Sequence, residues 1–343
     1  MSRLARLALA ALALAPGCIG SGFDLGELPG EPLVVVYRTR EESERRVELL
    51  QSAKSPAVRR ENTSTYEANY VRLESAVERL GLGRSAAEKA ADLLGRMSVV
   101  DARAEQVEPL EFAFRGDRPL DWSPDYEKLL FASLRGDAVQ LFEWHRSTGE
   151  VRVVTIGPED HPSGSYGPDG RLVVSEQMRS ADGKSKVSRL LLSASGGGAL
   201  EPLTDGPHDA KPDWSPDGRW VVYETRDPSG LPAIASVPAD RSAPPRIVAP
   251  GRDPSFAPEG GLVVYSARTR VGYRLAEMHP DGQGKRPLGA GPREEHDPRV
   301  SPDGRFVVYV SDDEGRQQLR VRTRDGRKDR PLIWNGDGIT PVW

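Results

Sequence analysis

The sequence has very little cysteine, no excess of positive charge and no apolar run long enough to span a bilayer. One cysteine in 343 residues excludes a disulfide framework and a zinc site built from thiolates. The 47 basic and 51 acidic side chains give a net charge of −4, which argues against nucleic acid as a partner. The apolar run at residues 7–15 is far shorter than the ~20 residues of a membrane-spanning helix. Composition therefore indicates a soluble globular chain, neither disordered nor polytopic in a membrane.

The N-terminal segment has the pattern of a targeting signal. Arg3 and Arg6 precede the apolar run, as in the positive n-region and apolar core of a signal peptide. We therefore predict that residues 1–17 are a signal peptide and lie outside the fold.

The single cysteine follows this segment directly. Residues 14–18 read LAPGC and resemble the lipobox of bacterial lipoproteins, in which small residues precede the cysteine that receives the lipid. A diacylglycerol with a further acyl chain is sufficient for stable anchoring. We predict lipid attachment at Cys18 and a tether over residues 18–32. The alternative is ordinary signal cleavage that leaves a free thiol.

Glycine and proline are abundant, and a repeated motif accounts for much of them. The 35 Gly and 29 Pro are about 19% of the chain, against a usual ~12%. A turn of the form Ser-Pro-Asp-Gly recurs every 42–48 residues, each time followed by a β-branched or aromatic run. The motif prolines are Pro124, Pro168, Pro216, Pro258 and Pro302. Proline and Asp-Gly form the turn, the following run forms a buried strand, and this period is that of a propeller blade of four strands.

The repeat resembles the PD40 (WD40-like) repeat of TolB-type β-propellers over roughly residues 110–343. The resemblance implies an all-β propeller. TolB-like proteins are periplasmic and bind envelope partners such as peptidoglycan-associated lipoproteins, so it also implies a binding role. The TolB proteins have a separate N-terminal α/β domain, for which this sequence shows no counterpart.

The two ends of the sequence look like parts of one repeat. Residues 340–343 (TPVW) resemble residues 212–214 (PDW), which precede a complete motif, and residues 28–40 resemble the continuation of that motif. Joining the two ends in one sheet would leave no open edge. We therefore predict a six-bladed propeller over residues 106–343, closed by a composite blade to which residues 33–40 contribute a strand.

A small helical insertion is predicted between these parts, over residues 41–105. Tyr66 begins an apolar stripe at helical spacing that ends at Leu80, and Ser85 begins a capping box for a second helix with Met97 on its inner face. The stripe is either packed inside the protein or a docking face for a partner helix.

No complete catalytic motif is present. The chain lacks the G-x-S-x-G turn of an α/β-hydrolase. His161, His208 and His296 each lie six to eight residues before a motif proline and beside an acidic residue, so they are weak candidates for a metal site at the channel mouth. Oligogalacturonate lyases, which resemble this repeat family, hold a metal at that place with histidines. The alternative is that the three histidines are ordinary loop residues.

These observations predict a lipid-anchored β-propeller of the bacterial cell envelope, on the periplasmic face of the outer membrane. We expect it to bind an envelope protein or glycan as a scaffold, with no catalytic residues, no cofactor and no nucleic acid. The alternative is a metal-dependent polysaccharide lyase or hydrolase that uses the three histidines.

Overall fold

The computed structural model describes residues 24–44, 95–101, 106–180, 185–194, 199–289, 293–313, 316–333 and 336–343. These residues form 23 β-strands, the short 3-10 helix Leu25–Glu27 and a helical turn at residues 40–44. The described part of the chain is therefore all-β, as predicted. None of its helical segments is long and apolar enough to cross a bilayer.

Four sheets have four antiparallel strands each. The first contains β1 (Leu33–Thr39), β2 (Arg96–Asp101), β3 (Gln106–Pro109) and the C-terminal strand β23 (Gly336–Val342); the second contains β4 (Arg118–Trp122), β5 (Lys128–Ser133), β6 (Gln140–His145) and β7 (Val151–Val153); the third contains β8 (Gly164–Tyr166), β9 (Leu172–Arg179), β10 (Lys186–Ser193) and β11 (Leu200–Pro202); the fourth contains β19 (Glu294–Val300), β20 (Phe306–Asp313), β21 (Arg316–Thr323) and β22 (Asp329–Pro331).

A fifth sheet has seven strands, because one long strand belongs to two units. Its strands are β12 (Ala210–Trp214), β13 (Trp220–Arg226), β14 (Pro232–Pro238), β15 (Arg246–Phe256), β16 (Val263–Thr269), β17 (Gly272–Met278) and β18 (Arg286–Pro287). The first part of β15 pairs with β14, and from Gly251 onward the same strand pairs with β16. The outer strand of one unit thus continues without a loop into the inner strand of the next.

The repeated motif forms the turn between the first two strands of a unit. In the best-preserved copy the Ser215 hydroxyl donates to Asp217 at 2.6 Å, and the Trp220 N–H donates to the Ser215 hydroxyl at 2.9 Å. Gly218 adopts φ +75°, which glycine allows without a steric cost. In the first copy, the hydrogen bond from the Ser123 hydroxyl lowers the pKa of Asp125. The motif aspartates therefore stabilise turns.

The hydrophobic core lies between neighbouring sheets. In β13, Val221 and Tyr223 pack toward the third sheet, whereas Val222 between them packs toward β16 and β17. Such alternation follows from the two-residue period of a strand. Six clusters of this kind, each shared by adjacent sheet units, surround the axis of the propeller-like arrangement.

The two ends of the described chain meet in the first sheet. Val36 of β1 pairs with Ile339 of β23, and Val34 pairs with Val342. This is the pairing that the resemblance between the terminal segments and the internal repeats predicts.

The predicted helical insertion is wrong at its C-terminal end. Residues 96–101 form strand β2, paired with β1 and β3, and Met97 is buried in the core of the first sheet. The β-branched pair Val99 and Val100, which favours a strand, outweighs the helical spacing. Residues 40–44 are helical where the insertion is predicted to begin, whereas Tyr66, Leu80 and Ser85 lie outside the described residues.

Candidate functional site

The innermost strands of all the sheet units border one axial channel. A narrow cavity of about 60 Å³ at its centre is lined by β4, the start of β8, β12, β15, β19 and β23. It shares Arg118, Ser163 and Lys211 with a cavity of about 330 Å³ on one side. It shares Arg299 and Val342 with a cavity of about 310 Å³ on the other side. The three cavities therefore follow one another along the channel.

A strained backbone position recurs in the inner strands. Lys211, Asp253, Asp297 and Thr340 each precede a proline and adopt φ between +46° and +52°. The register of each inner strand shifts at this position, as in a β-bulge, which redirects side chains. Non-glycine residues at such angles cost about 1–3 kcal/mol each and concentrate at functional sites. Three of the four residues, Lys211, Asp253 and Asp297, are charged, and all four line the channel.

The cavity of about 310 Å³ contains the repeated turns, and we call it the motif cavity. The motif prolines, two acids and several aromatic residues line it. Its floor holds Asp121 and Asp213, which lie 2.9 and 3.2 Å from the hydroxyl of Ser165. The backbone N–H of Tyr166 donates to Asp121 at 2.8 Å, and that of Phe256 donates to Asp213. Two carboxyl groups thus share one hydroxyl.

This arrangement favours protonation of the pair. Burial and the neighbouring charge of Asp213 raise the pKa of Asp121 to about 7. Burial also raises the pKa of Asp213, while Arg299 opposes the rise. Two carboxyl groups that contact the same hydroxyl cannot both ionise without a cost in free energy, so the pair holds a proton near neutral pH.

We expect the stability of the protein to fall between about pH 4 and pH 7. The folded-state pKa of Asp121 lies above its unfolded value of 3.8. The contribution of this carboxyl group to stability is therefore complete below pH 4, where it is protonated, and is lost as the pH rises through 7. The variant D121N removes this loss of stability. We expect the free energy of unfolding of D121N to exceed that of the wild type by about 4 kcal/mol at pH 8 and nearly to match it at pH 4. Urea unfolding at both pH values measures the difference; an equal difference at both contradicts the shared proton.

A second cluster lies deeper in the channel around Lys211. Its ammonium contacts Asp253 and lies 3.7 Å from both Glu224 and Asp297. Burial opposes ionisation of Asp253, but the charge of Lys211 prevails and lowers the pKa of Asp253 to about 2. Burial and the charge of Asp253 raise the pKa of Asp297 to about 6, and burial raises that of Glu224. One cation therefore pairs mainly with one of three carboxyl groups.

The three predicted histidines have different surroundings. The ring of buried His161 lies 3.2 Å from Gln140, and burial lowers its pKa. His208 is exposed and lines the cavity of about 330 Å³. His296 is buried against Tyr273, with Glu294 at 3.3 Å. Across the described residues, no group of three or more His, Cys, Asp or Glu is arranged to hold a metal ion. The predicted lipid site, Cys18, lies outside the described residues.

Sequence reasoning missed the acids and bases of the channel. The feature of the sequence that could have revealed these residues is their position in the repeat, rather than their residue type. Asp121 and Asp213 each precede a motif tryptophan, and Lys211, Asp253 and Asp297 each precede the proline of an inner strand. A charged residue is unusual in a strand that faces the axis of a protein, and the repeat alignment places all five there.

Solved structures with the same fold differ widely in what they are. TolB from Acinetobacter baumannii matches with a TM-score of 0.60 and 19% identity, over 72% of this chain and 62% of that one. A protein described as TolB from Agrobacterium tumefaciens matches with a TM-score of 0.59 and 20% identity, over 70% and 90%. An oligogalacturonate lyase in complex with manganese matches with a TM-score of 0.52 and 17% identity, over 70% of each chain. Identities this low establish the fold alone.

The present chain spans less than two thirds of the Acinetobacter protein. None of the curated protein sequences matches it. The model of the PD40 family, described as the TolB beta propeller domain, matches residues 94–252 and 204–343. These two matches cover most of the chain and all the inner strands, so the protein belongs to the PD40 family of TolB-like β-propellers.

Proposed function

We propose that this protein is a lipid-anchored, six-bladed propeller that binds a protein or glycan of the cell envelope and does not act as an enzyme. The motif cavity carries the proposal: it is an open recess of about 310 Å³ whose charged groups are held by internal contacts rather than presented to a reactant.

The count of six blades rests on the shared strand. Dividing β15 at Gly251 separates the seven-stranded sheet into two units of four strands. With the four separate sheets, these two units make six. Six hydrophobic clusters between neighbouring units are consistent with this count.

The walls of the motif cavity suit recognition. Buried aromatic residues contribute to the lining: Trp122, Tyr166, Trp214, Phe256 and Trp343. Concave sites with aromatic and apolar walls and a few fixed polar groups are typical of ligand binding, and aromatic rings supply much of the binding energy at protein interfaces. Four exposed motif prolines, 124, 168, 216 and 258, also line the cavity, at the turns.

The chemistry of the cavity favours binding over catalysis. The carboxyl groups of Asp121 and Asp213 accept hydrogen bonds from the backbone and Ser165, and Arg299 lies near both. The alternative, a metal-dependent lyase or hydrolase, requires the three histidines to lie together. In the part of the chain that the structure describes, each of them has different neighbours.

Lipid attachment places the protein in the envelope, and Cys18 is the site we propose for it. The variant C18A should move the protein from the membrane fraction to the soluble envelope fraction, because the remaining chain has lost its only acyl chains. Fractionation of cells with labelled fatty acid measures both the location and the label. Label retained by C18A contradicts lipid attachment at this residue.

Binding at the motif cavity is tested with charged substitutions at its edge. We expect P216R and P258R to reduce retention of envelope proteins or purified peptidoglycan by about tenfold, since each adds a long charged side chain to the lining. The matched control is P228R, an exposed hairpin position that does not line the cavity. Equal retention by all three variants and the wild type would count against the proposed function.

A further inference from the structure

The first described residues of the chain lie beside the motif cavity. Asp24 caps the short helix Leu25–Glu27. Leu25 and Leu28 are buried in a hydrophobic cluster that also contains Trp343, and Trp343 lines the motif cavity. The N-terminal segment is therefore fixed to the propeller next to that cavity.

Two further interactions place this segment at the end of the propeller that holds the repeated turns. One terminal nitrogen of Arg305 donates to the Glu27 carbonyl at 2.8 Å, and Arg305 directly follows the last motif turn. Burial raises the pKa of Tyr126 to about 12, and the nearby charge of Glu31 adds to the rise. Because Tyr126 also lines the motif cavity, residues 24–32 border it. We call the end of the propeller that contains the five motif prolines the motif face.

The opposite end of the propeller lies one strand length away. We call it the hairpin face, since it holds the hairpins at residues 134–139 and 227–231. Strand β1 runs from the motif face to the hairpin face and has seven residues, so the two faces are about 23 Å apart. The helical turn at residues 40–44, which follows β1, lies on the hairpin face.

The chain between the proposed lipid and the propeller is short. Residues 19–23 separate Cys18 from Asp24. A fully extended chain spans at most about 3.6 Å per residue, so a lipid on Cys18 lies within about 22 Å of Asp24. A bilayer at the hairpin face would require the tether to cover the whole distance between the two faces and the projecting hairpins as well. The length of the tether therefore favours a bilayer at the motif face.

The motif turns present little free charge to a bilayer. In three of the five turns, the aspartate pairs at 2.7 Å with the arginine two positions later. These pairs are Asp169–Arg171, Asp217–Arg219 and Asp303–Arg305. The chain has a net charge of −4, which anionic headgroups repel. Pairing within the turns reduces this repulsion where the motif face approaches the membrane.

We propose that the motif face is the surface that this protein presents to the lipid bilayer, with the motif cavity toward the membrane and the hairpin face away from it. The proposal rests on the lipid attachment at Cys18 proposed above. It adds the direction from which a ligand reaches the motif cavity, which is the space between the propeller and the bilayer.

The test measures energy transfer from the lipidated full-length protein to vesicles of phosphatidylethanolamine and phosphatidylglycerol that carry a headgroup-linked acceptor dye. Cys18 is the only cysteine of the sequence, so once it carries the lipid an introduced cysteine is the single thiol for a donor dye. E127C and D137C place the donor at the two ends of β5, on the motif face and the hairpin face. Both variants replace an exposed acidic residue, so they form a matched pair.

We expect energy transfer from E127C to exceed that from D137C by about twofold or more, because β5 holds the two dyes about 20 Å apart. Equal transfer, or stronger transfer from D137C, overturns the orientation. A second variant tests the role of the tether: about ten Gly and Ser residues inserted after Gly22 add about 35 Å of reach and should abolish the difference. A difference that survives this insertion also overturns the proposal.

Failure of this inference is distinguishable from failure of the proposed function. Vesicle association with equal or reversed transfer overturns the orientation and leaves lipid attachment intact. If C18A associates with vesicles as the wild type does, lipid attachment at Cys18 is wrong and the orientation is wrong with it. Retention of ligand at the motif cavity, measured with P216R and P258R, depends on neither result.

Discussion

A chain that lacks residues 336–343 is expected to lose the native fold. Strand β23 supplies one edge of the first sheet, and without it β1 loses its pairing from Val34 to Thr39. Ile339 and Val342 also leave one hydrophobic cluster and Trp343 leaves another. Removing one large buried side chain costs about 2–5 kcal/mol, so three together approach the 5–15 kcal/mol by which typical domains are stable.

A graded series separates closure of the ring from general damage. I339V removes one methylene and should cost about 1 kcal/mol. A chain that ends at Val342 should be intermediate, and the full truncation should aggregate or show no cooperative thermal transition. Circular dichroism and gel filtration measure the outcome. A truncated chain with the melting temperature of the full protein would show that β23 is dispensable.

The substitution K211M is expected to destabilise the protein by about 3–5 kcal/mol at pH 8, because removing one partner leaves buried carboxylates without compensation. The loss should shrink as the pH falls toward 5, where the raised pKa values of Asp297 and Glu224 allow protonation. Urea unfolding of the variant and the wild type at both pH values measures the effect.

Two acids of the same cluster provide an internal comparison. D253N removes the carboxylate whose pKa is lowered to about 2, so it should destabilise the protein from pH 5 to pH 8. D297N removes a carboxyl whose folded pKa of about 6 exceeds its unfolded value. Its charge costs free energy above pH 6, so D297N should be neutral or stabilising at pH 8. Equal effects of the two variants would show that Lys211 does not discriminate between them.

The sequence predicts the repeats well because each copy encodes its own turn. The turn at residues 215–218 is held by hydrogen bonds within the turn and to the strand that follows. Local residues are therefore sufficient to determine its structure. The strand at residues 96–101 is different. Its pairing with β1 depends on residues about 60 positions away, and no local pattern reports such a contact.

The candidate site could be predicted in position but not in chemistry. Alignment of the repeats places Asp121, Asp213 and Lys211 on inner strands. The shared proton and the unequal pairing of Lys211 arise only when strands from different units bring like charges within a few ångströms. Although His161, His208 and His296 occupy similar offsets in the repeats, they have different neighbours. His161 and His208 precede an inner strand, whereas His296 lies within β19.

The long strand β15 has a consequence for how the molecule moves. Because β15 belongs to both halves, the hydrogen-bonded sheet is continuous from β12 to β18. Neither half can detach without straining the other. Regions of a protein that open together form a cooperative unit. The two units that share β15 should therefore open as a single cooperative unit of seven strands, whereas each separate sheet has four. We expect the slowest local opening in this part of the ring.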